Sequence, residues 1–273
     1  MKTSVFKAIA VASVLITGNV SADQITVGGV TWDPDYDSGA SVKDFSATVT
    51  FAQWWSSVGT TDNQTIEGDN FGVAITPGAN GFGFDYSNIQ SPGIGELMGV
   101  ATFDRFNGES SGFVCSTCSL NLAFGGLTLD DPNDTLFNTD NSWFKVFVSP
   151  VTVDPFSALQ FSEAQSGSVW LSGDFSSFGL TFGNAQGGQS LAFLNVLGGD
   201  ALNNFDTNTI LDTWNGSIAD IQLSGTANFA PGEEFAQASG LAISGNSVPN
   251  PTSVALFGLG VLGLSLARRR RNI

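Results

Sequence analysis

The sequence contains no histidine in 273 residues, and only 9 lysines and arginines against 25 aspartates and glutamates. Each shortage excludes a class of function. Without imidazole there is no Ser-His-Asp or Cys-His nucleophile, no His-ligated zinc and no imidazole pH switch. The cations are also badly placed for binding phosphates. Lys2 and Lys7 lie at the start and Arg268, Arg269, Arg270 and Arg271 at the end, leaving only Lys43, Arg105 and Lys145 between them. All 25 acids fall between Asp23 and Glu234, so the body sets three cations against 25 acids and carries −22, more than the −16 of the whole chain. Nucleic acid is excluded as a partner, because phosphate binding needs a positive footprint. The expected partners are cations, neutral glycans, or anionic glycans through a bridging ion.

What is present starts with the termini. Lys2 and Lys7 precede a short apolar run, Ala8 to Ile16, and small residues at Val20-Ser21-Ala22. Residues 1–22 therefore read as a secretory signal peptide, with the body outside the cytoplasm. At the other end, Ser244 to Ser247 read as a short polar linker. Val248-Pro249-Asn250-Pro251 follows, then an apolar run from Thr252 to Ala267, then the four arginines. As a helix, residues 252–267 would cover roughly 24 Å, so flanking residues must help to cross a hydrocarbon core of about 30 Å. The arginines keep their end cytoplasmic.

A Pro-x-Pro, a Gly/Leu-rich apolar helix and a terminal arginine cluster resemble the PEP-CTERM sorting signal. Val248, Pro249, Pro251, Gly258, Gly260, Gly263 and Arg268–Arg271 match that family's pattern, and Asn250 stands where the family has glutamate. The resemblance is confined to the last 25 or so residues. It implies an exosortase-type transpeptidase as a partner, in a Gram-negative bacterium that makes exopolysaccharide. It also implies a transient inner-membrane anchor cut near the Pro-x-Pro, with the body in the periplasm and later at the cell surface or in the matrix. An ordinary single-pass anchor is the alternative.

The body, residues 23–247, is long enough for one large domain. Aspartate outnumbers glutamate, and Gly, Ser, Thr and Asn are abundant, a composition that supplies turns rather than helices. Phe45, Ala47, Val49 and Phe51 alternate with Ser46, Thr48 and Thr50; Phe144, Val146 and Val148, and Ala219, Ile221 and Leu223, repeat the pattern. Further short strands are expected at 73–75, 120–124, 127–129, 169–171 and 180–182. Asn80-Gly81, Asn107-Gly108 and Asn215-Gly216 are hairpin signals, the last between Thr209–Trp214 and Ser217–Leu223. With 23 Phe and 6 Trp to fill a core, the expected fold is all-β, an antiparallel, jelly-roll-like β-sandwich. A short helix is expected at 188–197 or 200–205. Gly125-Gly126 and Gly81-Phe82-Gly83 read as turns. A β-helix is the rival fold, but no repeat supports it.

Several residues are candidate sites. Cys115 and Cys118 are expected to pair as a disulfide in an oxidising compartment. Ser119 follows them where haem attachment needs histidine. Asp33, Asp35, Asp37 and Asp44 are spaced to converge on a hard cation such as calcium, although Ser38 occupies the position where such a loop needs glycine. Asp130, Asp131 and Asp134 form a second oxygen-rich turn, and either cluster also reads as a plain acidic loop. Trp54 and Trp55 are candidates for stacking on sugar rings, but adjacent strand residues face opposite ways, so one belongs to the core. The expectation is a non-enzymatic exported protein of the cell surface or exopolysaccharide matrix. A carbohydrate-binding module is the alternative, followed by a carboxylate-dependent glycan hydrolase or lyase.

Overall fold

The computed structural model describes residues 24–34, 36, 43–56, 96–107, 109–110, 115, 117–130, 134–150, 154, 161–184, 187–228 and 236–248. The signal peptide expected at 1–22, the apolar segment 252–267, the strand expected at 73–75, Asn80-Gly81 and Gly81-Phe82-Gly83 lie outside the described residues. No helix among the described residues is long and apolar enough to cross a membrane.

In chain order the first strands are β1 (Ile25–Val27), β2 (Val30–Trp32), β3 (Phe45–Ser56), β4 (Glu96–Phe106), β5 (Glu109–Ser110), β6 (Ser119–Thr128) and β7 (Trp143–Ser149). Helix α1 (Phe161–Ala164) precedes β8 (Ser168–Asn184) and β9 (Gly187–Gly198), and helix α2 (Leu202–Phe205) follows them. The remaining strands are β10 (Ile210–Leu211), β11 (Ile218–Ala219), β12 (Ile221–Asn228) and β13 (Ala236–Gly245).

The alternation on β3 holds in space. Phe45, Ala47, Val49, Phe51 and Trp55 are buried in one apolar cluster, while Ser46, Thr48 and Thr50 stay half exposed. The same cluster takes Leu122 and Phe124 from β6, Phe144 and Val146 from β7, Leu194 and Val196 from β9, and Ile221 and Leu223 from β12.

The expected sandwich does not form. Eight strands, β3, β4, β6, β7, β8, β9, β12 and β13, each pair antiparallel with their sequence neighbours, and β13 pairs back onto β3. The sheet is thus a closed up-and-down barrel. Alternation defines a buried and an exposed face, and a sandwich and a barrel share that pattern. What separates them is closure, helped here by register shifts at Thr48/Val49, Leu97/Gly99, Phe175/Ser177 and Ser239/Leu241 that bend the strands.

Glycine and phenylalanine fill the interior together. Gly99 pairs with Phe124, Gly245 with Phe45 and Gly173 with Phe144. A Cβ would stand 2.7 Å from the Phe124 ring at Gly99, 2.5 Å from the Phe45 ring at Gly245 and 2.8 Å from the Phe144 ring at Gly173. Each ring occupies the space its partner leaves empty, the small-against-large arrangement that fits side chains into a narrow barrel. Among the described residues, the cavities lined by Phe45, Phe106 and Trp170 and by Phe51, Phe124 and Phe178 hold about 20 Å³ each. That is room for about one water, far below the several hundred Å³ of a small-molecule pocket.

Two other local expectations change. Residues 188–197 form strand β9 rather than a helix, because Ala192, Leu194 and Val196 alternate with Phe193 and Asn195 across two faces; the helix is α2, within 200–205. Gly125-Gly126 lies inside β6 rather than in a turn.

Both barrel ends are filled. At one, the β1–β2 hairpin turns through Gly28-Gly29, at φ 60° and 86°, which glycine alone adopts readily. Trp32 from β2 packs 5.0 Å from Phe205 of α2 and edge-on at 5.7 Å to Trp170 of β8, whose Nε1 donates to the Val27 carbonyl at 3.0 Å. At the other end Phe137 stacks on Trp55 at 5.9 Å and meets Phe178 edge-on at 4.7 Å. On the outside of the wall, Trp54, Met98, Val100, Trp143 and Phe147 cluster with Ala164 of α1, and the β10–β11 hairpin packs Ile210 and Ala219 on Phe193.

Candidate functional site at the plugged end and the C-terminal tail

The structure separates the two acidic clusters. Asp33 and Asp44 lie at the end plugged by β1–β2 and α2; Asp130 and Asp134, both exposed, lie at the other end, after β6. Asp35, Asp37 and Asp131 are outside the described residues. Among the described residues, no three of His, Cys, Asp and Glu gather as a metal-ligand set. Asp44 instead accepts the Ser247 N–H at 2.9 Å through Oδ2. Trp54 and Trp55 are 0% and 2% exposed, one on the outer wall and one in the barrel, so neither offers a ring face to a sugar. Cys115 and Cys118 are joined as a disulfide just before β6, beside the Gly28-Gly29 turn.

The acids that the fold buries are ones the sequence reading passed over. Asp220, 1% exposed, accepts backbone N–H groups from Val196 at 2.7 Å, Thr207 at 2.7 Å and Asn208 at 2.6 Å. Asp212, fully buried, accepts from the Ser176 hydroxyl at 2.7 Å and the Trp214 N–H at 2.8 Å. Every one of these donors belongs to the fold, so both carboxylates join β8 or β9 to the β10–β11 hairpin rather than face a substrate. The signal for Asp212 was present: an aspartate three residues before Asn215-Gly216 is a turn-forming acceptor. For Asp220 there was none, since its donors come from two segments distant in sequence, Val196 and Thr207-Asn208.

The plugged end is also where the chain leaves the barrel, and here the expected polar linker 244–247 is absent. Ser244 and Gly245 belong to β13, and Ser247 is buried. Four hydrogen bonds then hold residues 247–248: Trp32 Nε1 to the Ser247 hydroxyl at 3.2 Å, Ser247 N–H to Asp44, Val248 N–H to the Asn204 carbonyl at 2.9 Å, and Asn204 Nδ2 to the Val248 carbonyl at 3.0 Å. Asn246 adds a bond from its Nδ2 to the Thr209 hydroxyl at 2.7 Å. Val248 is thus fixed against α2. Pro249, Asn250, Pro251 and Arg268, Arg269, Arg270 and Arg271 lie outside the described residues.

The inside of the wall is apolar; on its outer face Ser46, Thr48, Thr50, Gln222, Ser224 and Ser244 make β3, β12 and β13 polar, while Trp54, Trp143, Phe147 and Phe193 form buried apolar patches elsewhere. The fold and the chain's exit define a class: a closed antiparallel barrel whose last strand leads almost directly into the C-terminal segment. Residues 247–271 match the PEP-CTERM protein-sorting motif, so the chain carries this signal, the mark of an exported protein that passes through a membrane-anchored precursor and is processed by an exosortase. No curated protein and no solved structure matches the chain.

Proposed function

We propose that the protein is a non-enzymatic component of the cell surface or exopolysaccharide matrix. It crosses into the periplasm by its N-terminal signal and is released from the inner membrane at its C-terminal one. The observation that carries this reading is the sorting motif over residues 247–271. Two features support it. The barrel interior is taken up by its own aromatic side chains, which suits a stable scaffold. A body at −22 stays hydrated and apart from anionic polymers unless a cation bridges them.

Fractionation of the producing bacterium tests the reading. The protein is expected in the polysaccharide-containing surface fraction, and a chain lacking residues 248–273 is expected to stay in the periplasm. Wild-type protein retained in the inner membrane at steady state would count against it.

A further inference from the structure

The exit of the chain from the barrel fixes more than an address. Val248 is held to α2, and only Pro249, Asn250 and Pro251 separate it from Thr252, where the apolar run begins. Three residues reach at most roughly 11 Å when fully extended. A barrel tethered this closely cannot turn over, because its two ends stand roughly 25 Å apart for strands of this length tilted at about 40°.

We propose that in the membrane-anchored precursor the plugged end of the barrel faces the bilayer surface, and that the clamp of Trp32, Asp44, Asn204, Ser247 and Val248 sets this orientation. The proposal rests on the sorting reading above, since it needs residues 252–267 to be in the membrane. The face in question is built from the Gly28-Gly29 turn and α2, with Asn203, Asp200 and Asp206 exposed on it. Leu197 and Val248, 65% and 40% exposed, add apolar side chains there. The acids keep this face at the headgroups rather than in the hydrocarbon, where a carboxylate is costly. The opposite end, around Thr135 and Phe137, points away from the membrane.

The orientation is measurable by fluorescence quenching. The full chain would be reconstituted in phosphatidylcholine vesicles containing a lipid with a nitroxide on its headgroup. A single fluorophore is attached at Asn203→Cys or at Thr135→Cys; the native cysteines are joined to each other and do not react. Quenching at position 203 is expected to exceed that at 135 several-fold. A flexible Gly/Ser spacer of roughly 15 residues after Val248, with a reach of about 20 Å, is expected to bring the two values together. Equal quenching in the unmodified chain, or a difference that survives the spacer, overturns the proposal and leaves the sorting reading intact. A chain that fails to float with the vesicles overturns both.

Discussion

A single carboxylate joins three segments. Asp220 accepts N–H groups from Val196 on β9 and from Thr207 and Asn208 after α2, all within 2.7 Å. Removing it leaves buried donors unsatisfied, which costs more than the bonds contribute when made. Asp220→Ala is expected to destabilise the barrel by about 3 kcal/mol in urea unfolding. A loss below about 1 kcal/mol would show that water replaces the carboxylate easily. The Gly–Phe pairs show what single residues conceal in a sequence. The counts of 33 Gly and 23 Phe are plain, but Gly99, Gly173 and Gly245 read as weak points in strands until each is seen under the ring of its partner. Trp54 and Trp55 were legible only in part. Their opposite orientations followed from strand geometry, but not the burial of both, because the outer wall at Trp54 carries its own apolar cluster.

Among the elements, β3 was legible because it shows one apolar and one polar face; β7 was located from Phe144, Val146 and Val148 although Trp143 and Phe147 make its other face apolar too, and β6 was read as two short strands parted at Gly125-Gly126. Strand β8, at 17 residues, was read as two short strands, since Gly173 and the shifts at Phe175/Ser177 and Leu180/Phe182 break its pattern. The hairpin around Asn215-Gly216 was located, but its turn runs from Asp212 to Ser217 and contains Trp214, so the strands β10 and β11 are short. Asn107, at φ 50°, does sit in the left-handed region that an Asn-Gly hairpin turn requires, joining β4 to β5. Closure was not legible, because nothing local in β3 or β13 marks them as partners. Lys43 lies across that seam, donating to Gln222 at 2.8 Å and to Ser244 at 3.3 Å, and burial lowers its pKa from the usual 10.5. The unfolded chain therefore binds the extra proton in the window between the lowered value and 10.5. In that window stability should rise with pH, as the charged form that the fold disfavours is lost. Urea titrations across this range should show the rise in the wild type and a flatter profile in Lys43→Gln. An identical slope in the variant would remove Lys43 as the cause.

At the scale of the whole molecule, charge and address dominate. A body of three cations and 25 acids repels itself. Raising ionic strength from about 10 mM to 150 mM shortens the screening length from about 30 Å to 8 Å. Tm is expected to rise by roughly 2–4 °C, equivalent to about 1 kcal/mol for a domain of this size; a fall on adding salt would mean that attractive pairs, not repulsion, dominate the surface. Six of the nine cations lie at the two ends of the chain, Arg268–Arg271 within the matched sorting motif. Delivery of the folded barrel through its C-terminal motif is open to intact-mass measurement of the protein extracted from the cell surface. The expected chain starts near Asp23 and ends close to the Val248–Pro251 segment, with Arg268–Arg271 gone. A surface-extracted chain that still carries all four arginines would contradict it.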